Sequence, residues 1–315
     1  MKTLDDYIAG AHSIVISGHV RPDGDCIGST LGCWHYIRAN YPDVQVSVFL
    51  EEFLEAFAVL PDTDVISQDY YDIEPPDLFI SLDAASEDRL GQAVKYLNSA
   101  VRTLCIDHHV SNPGFAQVNI IDPDASSACE VLFGLLVPER ITTETAQCLY
   151  TGIVHDTGVF QYASTSPKTM RIAAALMEHG FDHNLLIDET FNLKTYEQNR
   201  IFGRCLDRSK LYLDGRVIYC ALSAQDLDDY HVQTKHLDGI AAMMRQTRGV
   251  LVSVFLYPLK DGRYKISFRS SGTDISSVAV KFGGGGHVRA AGCDIPGTEP
   301  QIRETLLAEL EKILP

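Results

Sequence analysis

Short apolar runs, each stopped by a polar or acidic residue, recur through the first half of the chain. Ser13-Ile14-Val15-Ile16-Ser17, residues 44–50, Asp77-Leu78-Phe79-Ile80-Ser81-Leu82 and Val101-Arg102-Thr103-Leu104-Cys105-Ile106 are rich in β-branched and aliphatic side chains. That pattern predicts strands buried on both faces. Residues 118–121 predict an edge strand. Helical stretches lie between and after them: 26–40, with its small residues toward the sheet, then 126–137 and 143–155. Ser166-Pro167 opens a further helix that Gly180 stops. Strands alternating with helices predict an α/β fold with a mainly parallel, doubly wound sheet.

The second half has a different rhythm. Residues 185–211 are polar and helical, a connecting helix, and Asp214-Gly215 then turns a hairpin between 211–213 and 216–220. A helix over 235–246 follows, then strands at 250–256 and 264–269 across Lys260-Asp261-Gly262. A short helix at 275–282 leads into Gly283-Gly284-Gly285-Gly286-His287, and a helix over 301–313 closes the chain. The expected organisation is a first α/β domain over 1–185, a helical linker over 186–210, and a smaller α/β domain with a mixed sheet over 211–315.

Charge narrows the partners. The 315 residues include 26 Lys and Arg against 42 Asp and Glu, a net −16. Tight binding of long nucleic acid relies on many cations neutralising phosphates, so a short anionic substrate fits better. Eight cysteines occur without a C-x-x-C pair, mostly inside apolar runs, which reads as small buried hydrophobes rather than a structural zinc site. Met-Lys-Thr-Leu-Asp-Asp lacks a signal pattern and no apolar run approaches a membrane span, so the expectation is a cytoplasmic protein with no membrane partner.

The residues that end the apolar runs carry the chemistry. His19, Asp23 and Asp25 follow the first strand, Asp83 follows the strand at 77–82, and Asp107-His108-His109 follows the strand at 101–106. Asp156 lies just past the helix over 143–155. Neighbouring strand tips of a parallel sheet share one crevice, where open α/β sheets place ligands. Asp23, Asp25, Asp83 and Asp156 bring four negative charges, which two divalent cations cancel. Without cations, clustered carboxylates repel and raise one another's pKa. Oxygen and imidazole donors without a thiolate suit manganese or magnesium, with iron, cobalt or zinc as competitors. Two such ions ~3.5–4 Å apart activate water for in-line attack on phosphorus.

Plainer readings stand beside these. Asp83 alone reads as a turn former, His155 as a packed histidine, Asp124 and Glu130 as helix-start acids, and Arg269 and Arg289 as surface ion-pair partners. The glycine run is either a flexible loop or a backbone that approaches a ligand closely and offers N–H groups to phosphate or ribose oxygens.

Together these segments resemble the DHH phosphoesterase family. The resemblance runs through His19-x-x-x-Asp23-Gly24-Asp25, Asp83, Asp107-His108-His109 and Asp156-Thr157-Gly158. Phe268-Arg269-Ser270-Ser271, Asp274-Ile275-Ser276, the glycine run with His287, and Ala290-Ala291-Gly292 are similar to the DHH-associated C-terminal domain. The size is similar to the subgroup that degrades very short RNA (nanoRNases) and dephosphorylates adenosine 3′,5′-bisphosphate to AMP. The resemblance implies two Mn2+ ions, with Mg2+ or Co2+ as substitutes. It implies one ion on His19, Asp23 and Asp83, and a second on Asp25, Asp83, His108 and Asp156. His109 would contact the scissile phosphate as a catalytic residue, with Asp107 behind an imidazole. Asn112, Arg269, Ser270, Gly284, Gly285, Gly286 and His287 would bind substrate, a short RNA or small nucleotide held between the domains.

Val288 after His287, and Gln161-Tyr162 after Phe160, depart from positions where the family often has a basic residue. Linear or cyclic dinucleotide second messengers are the alternative substrates. A nucleotide-sensing binding protein is the non-enzyme alternative, and a homodimer is common among similar proteins.

Overall fold

The apolar runs of the first half become parallel strands in the computed structural model, which describes residues 2–259 and 261–315. Lys260, expected in the turn Lys260-Asp261-Gly262, lies outside the described residues. The described chain divides into two units, Met1–Leu193 and Lys194–Pro315.

The first unit holds β1 (Ser13–Ser17), β2 (Gln45–Phe49), β3 (Ile66–Ser67), β4 (Leu78–Leu82), β5 (Arg102–Asp107) and β6 (Val118–Ile121). Their order is β3-β2-β1-β4-β5-β6, and every pairing is parallel. The doubly wound sheet is therefore the one the sequence predicts. Chain order reverses at β1 and β4, the switch point beside which such sheets bind ligands. Ile14, Ile16, Leu78, Ile80 and Leu82 face one core, while Val15 and Phe79 face another with Leu90 and Tyr96. Period-two alternation between two apolar layers explains why these strands read as unbroken apolar runs.

The helices of this unit are α1 (Leu4–Ile8), α2 (Gly24–Asn40), α3 (Val94–Ser99), α4 (Ala128–Phe133), α5 (Thr143–Asp156), α6 (Pro167–Met177) and α7 (His183–Ile187). Ser166 caps α6 ahead of Pro167, as the motif dictates. Two expectations are corrected. The helix expected over 126–137 is only α4, because Ser127 is its cap and Gly134 its end. The glycines of α2 do not face the sheet; they face α5. A Cβ on Gly28 would lie 2.5 Å from the Cys148 carbonyl oxygen, one on Gly24 2.2 Å from His155 Cγ, and one on Gly32 2.9 Å from Leu149 Cδ2. Glycines at one-turn spacing remove side chains from a single stripe, so the two backbones touch.

The second unit comprises α8 (Tyr196–Arg208), β7 (Lys210–Tyr212), β8 (Val217–Ala221), α9 (Ala224–Asp229), α10 (Ile240–Arg245), β9 (Val252–Pro258), β10 (Arg263–Ser270), α11 (Ser276–Lys281), β11 (Gly285–His287), β12 (Ala290–Pro296) and α12 (Glu299–Glu311). Its sheet runs β11-β12-β10-β9-β8-β7, antiparallel except for the parallel pair β8 and β9, so it is mixed as expected. The single connecting helix expected over 185–211 is broken. A π-helical turn, Asp188–Asn192, precedes α8, whose start is fixed by a capping box between Thr195 and Gln198. The helix expected over 235–246 is split at Gly239 (φ 85°), leaving α10 behind a short 3-10 turn. Among the described residues no helix is long and apolar enough to cross a membrane.

The α2–α5 contact generates a prediction. Gly28→Ala forces a methyl against the Cys148 carbonyl and lies 2.9 Å from the Gly152 nitrogen, neither of which is a flexible side chain. Overpacking of this kind costs about 1–3 kcal/mol. A clear drop in melting temperature is expected by calorimetry, and an unchanged melt would mean the helices separate freely.

Candidate metal centre

After β1 the chain reaches His19, whose buried ring is fixed by its neighbour. Nδ1 donates to the Val20 carbonyl at 2.9 Å, because a carbonyl can only accept. The other nitrogen, Nε2, faces carboxylates, 3.6 Å from Asp23 Oδ1 and 3.4 Å from Asp83 Oδ2, and would offer its lone pair to a cation once its proton is displaced. Asp23 is also the N-cap of α2 and accepts from the Asp25 and Cys26 amides at 3.1 Å each. Asp25, in the first turn of α2, is fully buried. Its two oxygens accept from the Ala128 and Cys129 amides at 2.6 and 3.0 Å, buried donors of α4's first turn that have no acceptor within the helix.

Asp83 follows β4 and turns into the left-handed region, φ 56°. Such a backbone is uncommon for a residue with a side chain, and it points to a constraint other than folding ease. Asp83 Oδ1 is buried and accepts no hydrogen bond. It lies 3.5 Å from His108 Nε2 and 3.7 Å from His109 Nδ1. His108 Nε2 is also 3.2 Å from Asp156 Oδ2, at the last residue of α5, and 3.9 Å from Asp25 Oδ2. The structure thus gathers His19, Asp23, Asp25, Asp83, His108 and Asp156 from three strand tips and one helix end.

Electrostatics makes the unfilled demand plain. Burial, then the charge of Asp83, raises the Asp25 carboxyl to about 7, and Asp156 is pushed well above its ordinary value by burial, Asp25 and Asp83. Burial alone would lower the two imidazoles. Asp23 and Asp83 outweigh it at His19, and Asp83, Asp25 and Asp156 outweigh it at His108, so each rises to about 10. Without cations the cluster would hold protons in their place. Oxygen and imidazole atoms of Asp25, His108 and Asp156, and of Asp83, His108 and His109, lie within 4.8 Å of one another. Most of the imidazole–carboxylate gaps exceed a good hydrogen bond, and two ligands ~2.1 Å from one cation sit about 3–3.4 Å apart. The orphaned Asp83 oxygen and this donor set fit divalent cations. Cys26 also falls close to His19 and Asp83, but burial pushes its thiol well above the ordinary range and removes it as a thiolate donor.

Behind the cluster, His109 Nδ1 donates to Asp107 Oδ1 at 2.8 Å, and Asn112 Nδ2 donates to Asp107 Oδ2 at 2.6 Å and to the Ala84 carbonyl at 3.0 Å. Burial would raise the Asp107 carboxyl, but these two donors hold it below its ordinary range. The Asp107 hydrogen bond, against burial, raises His109. Asn112 is thus tied to Asp107. His155 is packed, with Nε2 on the Thr190 hydroxyl at 3.0 Å and its ring against Phe57 and Phe191.

Comparison with known proteins identifies the family. Residues 13–153 match the DHH family, N-terminal domain, and residues 214–314 match the DHHA1 domain. A relative from Thermus thermophilus, named bifunctional oligoribonuclease and PAP phosphatase NrnA, is 30% identical over 91% of this chain and 85% of its own. The chain belongs to the DHH family. A relative of the same name from Bacillus subtilis is 26% identical over 99% of this chain and 98% of its own. The crystal structure of an exopolyphosphatase-related protein from Bacteroides fragilis superposes with a TM-score of 0.90 at 28% identity, covering 97% of this chain and 94% of that one.

Within the DHHA1 unit, the glycine run is a loop only at Gly283 and Gly284. Gly285–His287 pair with Ala290–Ala291–Gly292 across a turn at Val288 and Arg289. A Cβ on Gly284 would lie 2.1 Å from the Gly292 carbonyl oxygen, and one on Gly286 (φ 137°) 2.4 Å from that of Ala290. Those two glycines are needed for strand pairing, whereas Gly285 has open space around it. His287 is exposed. Arg269 donates to the Phe268 carbonyl at 2.9 Å, and the buried Ser270 hydroxyl donates to the Thr273 carbonyl at 2.6 Å.

Sequence reasoning missed the support of the DHH site. Glu130 does stand in the first turn of α4, but it is fully buried rather than a surface acid. Its Oε2 accepts from the Ser126 and Thr169 hydroxyls at 2.7 Å each, and Lys168 Nζ is 3.2 Å from Oε1. It anchors the segment whose amides hold Asp25. The pairing Ser126-x-x-x-Glu130 was the only local signal.

These protonation states set a pH dependence. Raised Asp25, Asp156, His19 and His108 mean that the metal-free fold binds more protons than the unfolded chain between about pH 6 and 8, so the cluster's contribution to stability falls as pH rises there. Cations displace those protons, so affinity rises over the same interval. Manganese is expected to raise the melting temperature more at about pH 8 than at about pH 6. Equal shifts would contradict a proton-coupled site.

Proposed function

We propose that this chain is a divalent-metal-dependent phosphoesterase that cleaves RNA fragments of a few nucleotides to mononucleotides and dephosphorylates adenosine 3′,5′-bisphosphate to AMP. The observation that carries it is the buried, unpartnered Asp83 oxygen at the point where the DHH-family residues converge. The names of the full-length relatives support the substrate class, and the net charge of −16 favours a short substrate over a long strand.

In this reading manganese would be the working ion and two would bind. His19, Asp23 and Asp83 would hold one, and Asp25, Asp83, His108 and Asp156 the other. The ions would supply Lewis acidity toward the phosphoryl group and a competent water nucleophile at neutral pH. The protein's own groups do the rest. Asp107 accepts a hydrogen bond from His109 Nδ1–H, which fixes the ring and favours its imidazolium form, whose Nε2–H can donate to a phosphoryl oxygen as negative charge builds. Asn112 keeps Asp107 in place. Arg269, Ser270, Gly284, Gly285, Gly286 and His287, in a unit we read as the substrate-binding domain over residues 211–315, engage the far end of a short substrate. Residues 1–185 are the catalytic domain and 186–210 the linker.

Asp83→Ala is expected to abolish turnover of both a 5′-labelled dinucleotide and adenosine 3′,5′-bisphosphate under saturating manganese, since a shared ligand serves both ions. Near-wild-type turnover of either would sink the two-ion assignment. A parallel comparison with a cyclic dinucleotide decides the substrate ranking: faster turnover of the cyclic compound would displace the proposed one. Tight binding of all three without product would make the chain a sensor.

A further inference from the structure

One cation stands at the edge of the acid–imidazole cluster without an acid of its own. Arg89 lies in the 3-10 segment Glu87–Ala93 that follows Asp83. Its Nη2 is 3.2 Å from His19 Nδ1 and 3.4 Å from the Val20 carbonyl oxygen. That carbonyl already takes the His19 Nδ1–H at 2.9 Å, so Nδ1 carries a hydrogen and cannot accept from Arg89. Two donors therefore face each other and share a single acceptor. Among the described residues no carboxylate lies within ion-pair distance of Arg89, although the chain has 42 acids and only 26 Lys and Arg. A guanidinium offers five N–H donors in a planar fork, and here only one makes a long bond.

The backbone holds it in place. The Val20 amide donates to the Arg89 carbonyl at 2.7 Å, clasping the two loops together. Gly91 adopts φ 54°, and a Cβ there would lie 2.5 Å from Val20 Cγ1, so this approach needs glycine. A half-buried arginine, fixed by backbone contacts and with no carboxylate in ion-pair reach among the described residues, is suited to bind an anion.

We propose that the juxtaposition of Arg89 with His19 forms a phosphate-binding point on the His19 side of the cluster, where the guanidinium donates to non-bridging oxygens of the substrate's reacting phosphate. This rests on the reading of the cluster as a phosphoesterase site. His109 and Arg89 then grip the phosphate from opposite ends of the cluster. The fork keeps its hydrogen bonds through the reaction and gains strength as charge accumulates on those oxygens.

The test uses the full chain, manganese-loaded, as wild type, Arg89→Ala and Arg89→Lys, with inorganic phosphate as the probe. Calorimetry measures manganese affinity first and phosphate affinity second, and dinucleotide turnover is followed in parallel. Arg89→Ala should bind manganese within about twofold of wild type yet lose roughly ten- to a hundredfold in phosphate affinity and a comparable factor in kcat/KM. Arg89→Lys, which keeps the charge and much of the packing, should recover part of the phosphate affinity. Unchanged phosphate affinity in Arg89→Ala, with an active wild type, overturns the inference alone. Loss of manganese affinity in that variant also overturns it, by making Arg89 a support for His19. A wild type that neither binds manganese nor turns over dinucleotide overturns the site reading and this inference with it.

Discussion

Negative charge taken out of water is the constraint around which this chain is built. Asp25 and Asp83 are buried within a few ångströms of each other's neighbours, and Asp156 closes the same space. Isolated buried carboxylates cost several kcal/mol each, so the fold must supply compensation at every one. Asp25 receives two amides from α4, and the imidazoles of His19 and His108 fill the gaps between carboxylates. The buried Asp83 Oδ1 is left without a donor. The remaining deficit is what a cation would satisfy.

Holding those charges in register is a task for backbone rather than side chains. The glycine stripe of α2 lets α5 approach until Gly152 sits beside Asp25, where a Cβ would meet its Oδ1 at 2.7 Å. That contact sets the start of α2 against the end of α5, and with it Asp25 against Asp156. The left-handed turn at Asp83 aims a carboxylate that an ordinary strand end would send elsewhere. Glu130, gripped by Ser126, Thr169 and Lys168, steadies the amides over Asp25 from α6.

Much of this was legible because strand tips in a parallel sheet are predictable from apolar runs, and acids just past them stand out. The six candidate ligands do converge. What stayed hidden depended on contacts between distant segments. Nothing local says that Gly28 faces Cys148 rather than the sheet, or that Thr169 reaches Glu130. Arg89 reads as one more polar residue in a turn, since its meaning lies in the acceptor that His19 has already taken. The run from Gly283 to Gly286 lacks the side chains by which a strand is recognised, and only its pairing with β12 reveals one. The break before α8 escapes the sequence pattern because residues 188–195 offer no glycine or proline, although Thr195 and Gln198 carry a capping box.

The strand order has a consequence for how the molecule is made. β1 is the first strand synthesised, yet it lies between β2 and β4, and β4 lies between β1 and β5. His19 cannot meet Asp83 until residues far along the chain have folded back, and His108 and Asp156 arrive later still. Such long-range parallel pairing is slow, and no short nascent segment carries a complete set of donors. A half-made chain therefore has little with which to trap the wrong cation, and selection among metals is deferred until the whole sheet exists to impose its geometry.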